Sequence, residues 1–116
     1  MKTVMVVDDD YDIRKSVEQI LEKNNYKVIT AVSGDDCLVK LKTEEPDLIL
    51  MDIKMPGTPV RVVVRKIDKI KILFLSVVPV SDAEKMGLLG QKNVEGFISK
   101  PFNIDDLIGA VKEVIG

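Results

Sequence analysis

The chain has 116 residues, a length that fits one compact domain and leaves no room for a second. Apolar residues make up 46% of it, so a core can form without cross-links, and the single cysteine, Cys37, excludes an intrachain disulfide. The formal net charge of −2 gives no basic excess for nucleic-acid binding, and the absence of histidine excludes histidine catalysis and histidine metal ligands.

The N-terminal segment argues against membrane targeting. Its apolar run is short and ends at Asp8. Such a run, followed at once by acidic residues, is neither a signal peptide nor a membrane span. We therefore expect a cytoplasmic protein without a membrane partner, which also suits a lone cysteine.

The first part of the chain predicts two strand–helix pairs. Val4–Val7 and Lys27–Thr30 are the apolar runs that predict the strands. Helix-spaced apolar residues follow the first strand: Ile13, Val17, Ile20 and Leu21. After the second strand, Ser33 and Asp36 form a loose capping box that predicts a helix start, and Pro46 lies beyond the helix end.

The middle of the chain predicts a third pair. Leu48–Met51 predicts the strand. Thr58 followed by Pro59 is a favourable N-cap and first-turn combination for a helix. The apolar face of this short helix comprises Val60, Val63, Val64 and Ile67.

Two more pairs complete the pattern. Ile72–Leu75 and Gly96–Ile98 predict strands, Ser81 with Glu84 is a capping box for the fourth helix, and Asn103 predicts the N-cap of the fifth. The strand runs are built around consecutive rather than alternating apolar residues, which is typical of parallel strands buried on both faces. The alternation therefore predicts a doubly wound α/β sheet with right-handed crossovers and helices on both sides.

Polar side chains follow four of the five predicted strands. In chain order they are Asp8–Asp10, Asp52, Ser76 and Lys100. Because the carboxyl ends of parallel strands meet at one edge of the sheet, these groups are expected to converge there. Clustered carboxylates stay ionised only beside a cation, and a site of oxygen ligands favours Mg²⁺ or Ca²⁺.

These residue types suggest phosphoryl transfer at that edge. A carboxylate such as Asp52 can act as a nucleophile and form an aspartyl-phosphate. Transfer then needs positioning and charge neutralisation, for which a metal and Lys100 are candidates, while the Ser76 hydroxyl can donate to a phosphoryl oxygen. Taken alone, Asp8–Asp10 is also typical of a helix N-cap, whereas a calcium loop is excluded because Ile13 stands where its glycine is required.

As an ordered set, these segments resemble a response regulator receiver domain of the CheY-like superfamily of two-component signalling proteins. The matching segments span nearly the whole chain: Val6–Asp10, Asp52–Gly57, Leu75–Ser76 and Lys100–Phe102. The resemblance implies one receiver domain over residues 1–116. It also implies the flavodoxin-like (βα)5 three-layer sandwich, with a parallel five-stranded sheet of order 2-1-3-4-5.

The resemblance assigns roles at the acidic edge. It implies that Asp52 is the phospho-acceptor and that Mg²⁺ is the cofactor. Asp9, Asp52 and the backbone carbonyl of Lys54 are implied to bind the metal directly, with Asp8 acting through water. These assignments come from the family and are expectations for this chain.

The resemblance also implies a switch. Ser76 and Lys100 are expected to contact the phosphoryl group, and a cis peptide bond is expected between Lys100 and Pro101. Ser76 and Phe97 match the positions that couple phosphorylation to the face formed by the fourth helix, fifth strand and fifth helix. An aromatic residue in a strand is equally typical of a core, so both roles of Phe97 stay open.

The implied partners are proteins. The phosphoryl donor is expected to be the phosphohistidine of a sensor histidine kinase or phosphotransfer protein, and output is expected to pass to a downstream protein rather than directly to nucleic acid. A homodimer through the switch face is left open. The chain is then a switch that catalyses its own phosphorylation and dephosphorylation, not an enzyme with turnover on outside substrates.

One segment departs from the family pattern. Thr58-Pro59-Val60 stands where the family has a bulky residue, a small or acidic residue and a glycine, and the interval to Ser76 is short, so we expect a truncated third helix. One alternative is a phosphate-inert pseudo-receiver, although such modules usually lack a residue that is present here. A phosphohydrolase would usually carry a second aspartate at the position of Lys54.

Overall fold

The computed structural model describes residues 1–116 and contains a single five-stranded sheet. The strands are β1 (Thr3–Val7), β2 (Lys27–Ala31), β3 (Leu48–Met51), β4 (Lys71–Ser76) and β5 (Val94–Ser99). All neighbouring strands are parallel, and their order across the sheet is β2-β1-β3-β4-β5. The predicted doubly wound sheet and its order are therefore confirmed.

One helix follows each strand. The helices are α1 (Tyr11–Lys23), α2 (Gly34–Lys40), α3 (Val60–Arg65), α4 (Val80–Lys85) and α5 (Ile104–Ile115). Helix α3 is short, as its departure from the family pattern predicted, and α4 is equally short. None of the five helices combines the length and apolar character needed to cross a bilayer.

The core consists of two layers, one on each side of the sheet. In β1, Met5 and Val7 face the layer that contains α2, α3 and α4, whereas Val4 and Val6 face the layer that contains α1 and α5. Both sets of side chains are almost fully buried. This burial on both faces explains why the apolar residues of the strand runs are consecutive rather than alternating.

Three helices begin at a side-chain cap, and the sequence predicts two of these caps, Ser33 and Asn103. Asp10 accepts from the backbone of the first turn of α1, Ser33 Oγ accepts from the Asp36 N–H at 3.0 Å, and Asn103 Oδ1 accepts from the Asp106 N–H at 2.7 Å. Each contact satisfies a backbone donor that the helix leaves free. The predicted starts of α2 and α5 are therefore confirmed, while Asp10 has the capping role that was the alternative for the aspartate cluster.

The two other predicted caps are wrong. Helix α3 begins after Pro59 and has no side-chain cap, because the Thr58 hydroxyl donates to Asp35 instead. Helix α4 begins after Pro79, which places Ser81 inside the first turn rather than before it. In both cases a proline occupies the N-cap position. Its φ is fixed at about −65°, which is compatible with the start of a helix.

Two amide side chains in the segment just before β5 donate hydrogen bonds to carbonyl groups at and beyond the end of the short helix α3. Asn93 Nδ2 donates to the carbonyl oxygens of Ile67 and Ile70 at 2.7 and 2.8 Å. Gln91 Nε2 donates to the Val64 carbonyl at 2.8 Å and to Asn93 Oδ1 at 2.6 Å. These bonds satisfy carbonyl groups that a longer helix would have paired internally.

We expect Asn93→Ala to lower the free energy of unfolding by about 1–3 kcal/mol, because the partly buried Ile70 carbonyl loses its side-chain donor and the Ile67 carbonyl keeps only the Gln91 amide, at 2.9 Å. Denaturant unfolding measures the change. Asn24→Ala is the matched control, since Asn24 makes a single side-chain bond, to the Ile20 carbonyl at the end of α1. Equal losses in the two variants would contradict a special role for the Asn93 amide.

Candidate functional site

Three carboxylates converge where β1 and β3 end. The register pairs Val7 with Met51, so Asp8 and Asp52 leave neighbouring strands side by side. The carboxylate oxygens of Asp8, Asp9 and Asp52 all lie within 4.8 Å of one another. Asp8 and Asp52 are buried, at 2% and 7% exposure, while Asp9 is exposed. The predicted acidic edge is therefore formed by residues from two separate parts of the chain.

Lys100 brings a positive charge into this cluster. Its Nζ lies 2.8 Å from Asp8 Oδ2 and 3.7 Å from Asp52 Oδ2. The Lys100 backbone N–H donates to the Ser76 carbonyl at 2.9 Å, which ties the end of β5 to the end of β4. The peptide bond from Lys100 to Pro101 is cis, as the resemblance implied. This lysine balances part of the negative charge of the buried carboxylates.

Ser76 lies at the end of β4 and is fully buried. Its Oγ accepts from the Val78 N–H at 3.4 Å. The strand-end position predicted for Ser76 is therefore retained despite the shortened segment before it.

The other predicted residues divide between the site and its surroundings. The Lys54 backbone N–H donates to Asp52 Oδ1 at 3.4 Å, while the Lys54 side chain is exposed. Asp10 caps α1 and does not join the carboxylate cluster. Phe97 lies in β5, is partly buried and packs against the core layer of α2, α3 and α4. It therefore lies away from the carboxylates.

The electrostatics of Asp52 reflect its burial. Burial raises the pKa of the Asp52 carboxyl above its ordinary value of 3.8, and the negative charge of Asp8 raises it further. Three groups lower this pKa by stabilising the charged form: the Ser76 hydroxyl, the Lys100 ammonium and the Lys54 N–H. Their combined effect is smaller than that of burial, so the pKa of Asp52 stays above its ordinary value. The metal-free site therefore holds a carboxylate that costs free energy to ionise.

This balance predicts how the metal-free protein responds to pH. Between pH 3.8 and the raised pKa of Asp52, the folded state binds more protons than the unfolded state. The stabilising contribution of Asp52 is thus fully present below the ordinary pKa and is lost as pH rises through the raised one. We expect Asp52→Asn, which removes this titration, to unfold at a higher temperature than wild type near neutral pH.

Thermal unfolding in a chelator, followed from acid to neutral pH, measures this difference. The difference in unfolding temperature between Asp52→Asn and wild type is expected to shrink as the pH falls. Asp68→Asn, which changes an exposed aspartate far from the cluster, is the matched control and is expected to follow wild type. A metal-free Asp52→Asn protein less stable than wild type at neutral pH would contradict the interpretation.

The donor atoms of the cluster suit a hard divalent cation. They are carboxylate oxygens, with the backbone carbonyl of Lys54 as a further candidate from the adjoining loop. Oxygen donors of this kind bind Mg²⁺, which commonly takes one or two carboxylates and keeps water at its remaining positions. Because the three carboxylates lie within 4.8 Å of one another, their negative charges repel, and a bound cation would relieve this repulsion.

Sequence reasoning missed two features of the site. Arg14, in α1, donates from Nη1 to the Asp8 carbonyl at 2.7 Å. This bond holds the loop after β1 against α1. A cleft of about 720 Å³ also opens beside the cluster, and its apolar part is lined by Ile13, Ile20, Val77, Phe102 and Ile104. Helical spacing identifies Ile13 and Ile20, but only the fold brings them next to the segment after Lys100.

Comparison with known proteins gives a consistent match. The sequence profile of the family described as "Response regulator receiver domain" matches residues 4–112. The alkaline phosphatase synthesis transcriptional regulatory protein PhoP of Bacillus subtilis is 31% identical over 116 residues, which cover 98% of this chain and 48% of PhoP. The chain thus spans about half the length of this curated relative.

Two solved structures are similar over the whole chain. The response regulator protein TrrA of Thermotoga maritima, solved in complex with Mg²⁺–BeF, is 30% identical with a TM-score of 0.87, and the match covers 99% of this chain and 100% of TrrA. The chemotaxis response regulator CheY4 of Vibrio cholerae is 27% identical with a TM-score of 0.86, and the match covers 99% of each chain.

Proposed function

Because this chain belongs to the response regulator receiver domain family of two-component systems, we propose that Asp52 accepts a phosphoryl group in a Mg²⁺-dependent reaction. One observation carries the proposal: Asp52 is buried between two further carboxylates and the Lys100 ammonium. In this proposal residues 1–116 form one receiver domain.

The proposed reaction moves a phosphoryl group from nitrogen to oxygen. An Asp52 carboxylate oxygen attacks the phosphorus of a phosphohistidine and forms a P–O bond. The P–N bond breaks, and its electron pair leaves with the imidazole nitrogen. Hydrolysis of the aspartyl-phosphate by water returns Asp52 and inorganic phosphate, so the chain resets itself and has no turnover on an outside substrate.

The residues around Asp52 supply charge and orientation. Lys100 stabilises negative charge on a phosphoryl oxygen, and the Ser76 hydroxyl donates to another. Asp9, Asp52 and the Lys54 carbonyl would hold Mg²⁺, with Asp8 acting through water. That the similar protein TrrA was solved in complex with Mg²⁺–BeF supports the choice of metal. The bound metal would offset the carboxylate charges and contact the transferring group.

The switch would begin at Ser76. In the present structure its Oγ accepts from the Val78 N–H, so a shift of the hydroxyl toward a phosphoryl oxygen would release the start of the β4–α4 loop. Phe97 lies on the neighbouring strand β5 and is only partly buried, so its burial can rise or fall. We therefore propose that phosphorylation changes the face formed by α4, β5 and α5.

The proposed partners follow from this chemistry. A sensor histidine kinase or phosphotransfer protein supplies the phosphohistidine in the cytoplasm, and an output protein or output domain responds to the changed face. PhoP, whose name describes a transcriptional regulator, is about twice as long as this chain, so an output domain on a longer protein fits as well as a separate partner. Dimerisation through the same face stays a proposal.

Binding of beryllofluoride tests the site without a kinase. We expect ¹⁹F NMR to detect beryllofluoride bound to the wild-type protein in the presence of Mg²⁺, and no bound signal without Mg²⁺ or in Asp52→Asn. Amide shifts at Ser76 and Phe97 in the same sample would support the switch. A wild-type protein that binds no beryllofluoride at saturating Mg²⁺ would favour the pseudo-receiver alternative instead.

A further inference from the structure

A carboxylate and a hydroxyl outside the acidic cluster join two distant parts of the chain. Thr58 Oγ1 donates to Asp35 Oδ1 at 2.7 Å, and the Thr58 backbone N–H donates to Asp35 Oδ2 at 3.4 Å. Asp35 lies in the first turn of α2, and Thr58 lies in the loop between β3 and α3. The pair thus fastens the loop that leaves Asp52 to the start of another helix.

Two glycines allow this close approach. Gly57 has a φ of 95°, and a Cβ at that position would lie 3.2 Å from Asp35 Oδ2. A Cβ at Gly34 would lie only 2.7 Å from Val63 Cγ2 in α3. A side chain at either glycine would therefore press the start of α2 away from the loop or from α3.

The turn that carries Asp35 is itself held in place. Ser33 Oγ accepts from the Asp36 N–H, and Asp36 Oδ2 accepts from the Val32 N–H, both at 3.0 Å. These contacts fix the first turn of α2 from both sides of its cap. Asp35 therefore lies on a well-ordered turn, and its bond to Thr58 restrains the β3–α3 loop.

Thr58 forms this contact at the expense of a helix cap. A threonine directly before Pro59 is a favourable N-cap, yet α3 has no side-chain cap and the hydroxyl bonds to Asp35. When a side chain such as Thr58 forgoes a favourable helix cap, the contact that replaces the cap is often one that function requires.

We propose that Asp35 and Thr58 are positioning residues that hold the β3–α3 loop in the conformation in which the Lys54 carbonyl binds Mg²⁺. This inference rests on the proposed function. Only three residues separate Lys54 from Thr58, so fixing Thr58 restricts the conformations open to the carbonyl. A loop that is already ordered loses less conformational entropy when the cation binds.

Calorimetric titration with Mg²⁺ alone, well below the unfolding temperature, tests the proposal. Thr58→Val keeps the size of the side chain and removes the hydroxyl, and we expect it to weaken Mg²⁺ binding roughly three- to tenfold. Thr58→Ser restores the hydroxyl and is expected to bind nearly as wild type. Thr43→Val makes the same change at an exposed threonine of another loop and is the matched control.

A double-mutant cycle separates this contact from unrelated effects. Asp35→Ala is expected to weaken Mg²⁺ binding as Thr58→Val does, and the double variant to bind no more weakly than either single one, because both remove one interaction. Asp35→Asn keeps an acceptor for the Thr58 hydroxyl and reports the effect of charge alone. Phosphorylation of the single variants is expected to need more Mg²⁺ but to reach the wild-type maximal rate.

Wild-type Mg²⁺ affinity in both folded Thr58→Val and folded Asp35→Ala would overturn the proposal, as would additive effects in the cycle. A lower maximal rate at saturating Mg²⁺ would also overturn it, because a positioning role for the cation would then not account for the loss. If wild type itself bound no Mg²⁺, the proposed function would fail first, which is a different result from the failure of these variants.

Discussion

Replacing Lys100 with methionine is expected to slow phosphorylation of Asp52 roughly 10²- to 10³-fold at saturating Mg²⁺, the range typical for loss of one stabilising donor. Lys100 Nζ lies 3.7 Å from Asp52 Oδ2, close enough to reach an oxygen of a group on that carboxylate. Methionine keeps most of the apolar stem of lysine and removes the ammonium group, with its charge and its hydrogen-bond donors. The rate is measured by intact mass after mixing with phosphoramidate, a small donor with a P–N bond.

Lys100→Arg is the control for charge. We expect it to retain part of the rate, since the guanidinium keeps the positive charge but is too broad for the same position. Circular dichroism establishes that each variant is folded, which matters because Lys100 also pairs with buried Asp8 at 2.8 Å. A folded Lys100→Met protein with the wild-type rate would remove Lys100 from the proposed site.

Replacing Asp9 with alanine is expected to weaken Mg²⁺ binding about 10- to 100-fold or more, on the scale of losses at metal sites. Asp9 is the exposed member of the carboxylate cluster, and in the proposed site it is a direct ligand. Because its side chain is outside the core, the fold is expected to remain intact. Calorimetric titration with Mg²⁺ gives the affinity, and thermal unfolding in a chelator checks the stability.

Asp12→Ala provides the matched acidic control. Asp12 is exposed and lies in the first turn of α1, only three residues from Asp9, but it is outside the cluster. Its removal changes the net charge by the same amount and is expected to leave Mg²⁺ affinity within about twofold of wild type at moderate ionic strength. Equal losses in both variants would indicate a diffuse electrostatic effect rather than a ligand.

Much of the fold could be predicted because local and global signals agree. The runs that became β1 and β3 are apolar at every position, and β1 sends Met5 and Val6 to opposite layers of the core. Periodicity therefore identified the strands, and alternation with helices identified the parallel sheet. The strand order itself came from the family resemblance, since periodicity says nothing about which strands are neighbours.

The wrong predictions have a common physical origin. At Thr58 and Ser81, local capping preferences predict the helix start, but Pro59 and Pro79 occupy the N-cap positions in the structure. For Thr58, a tertiary partner, Asp35, competes for the hydroxyl. Such a partner lies 23 residues away and leaves no signal in the local sequence.

The candidate site divides in the same way. The carboxyl-end rule placed Asp8, Asp52 and Lys100 at one edge, where the structure brings them together. The three consecutive aspartates could not be told apart by sequence pattern alone, and the structure separates them: Asp10 caps α1, while Asp9 joins the cluster. The bracing bond from Arg14 depends on tertiary placement and had no distinct signal.

Intact mass spectrometry after incubation with acetyl phosphate is the most direct test of the central claim that Asp52 is a Mg²⁺-dependent phospho-acceptor. We expect wild type to gain the mass of one phosphoryl group only when Mg²⁺ is present, and Asp52→Ala to gain none while remaining folded. Beryllofluoride binding guards against an adduct too short-lived to detect. A mass gain that persists in Asp52→Ala, or a wild type that neither gains mass nor binds beryllofluoride, would contradict the claim.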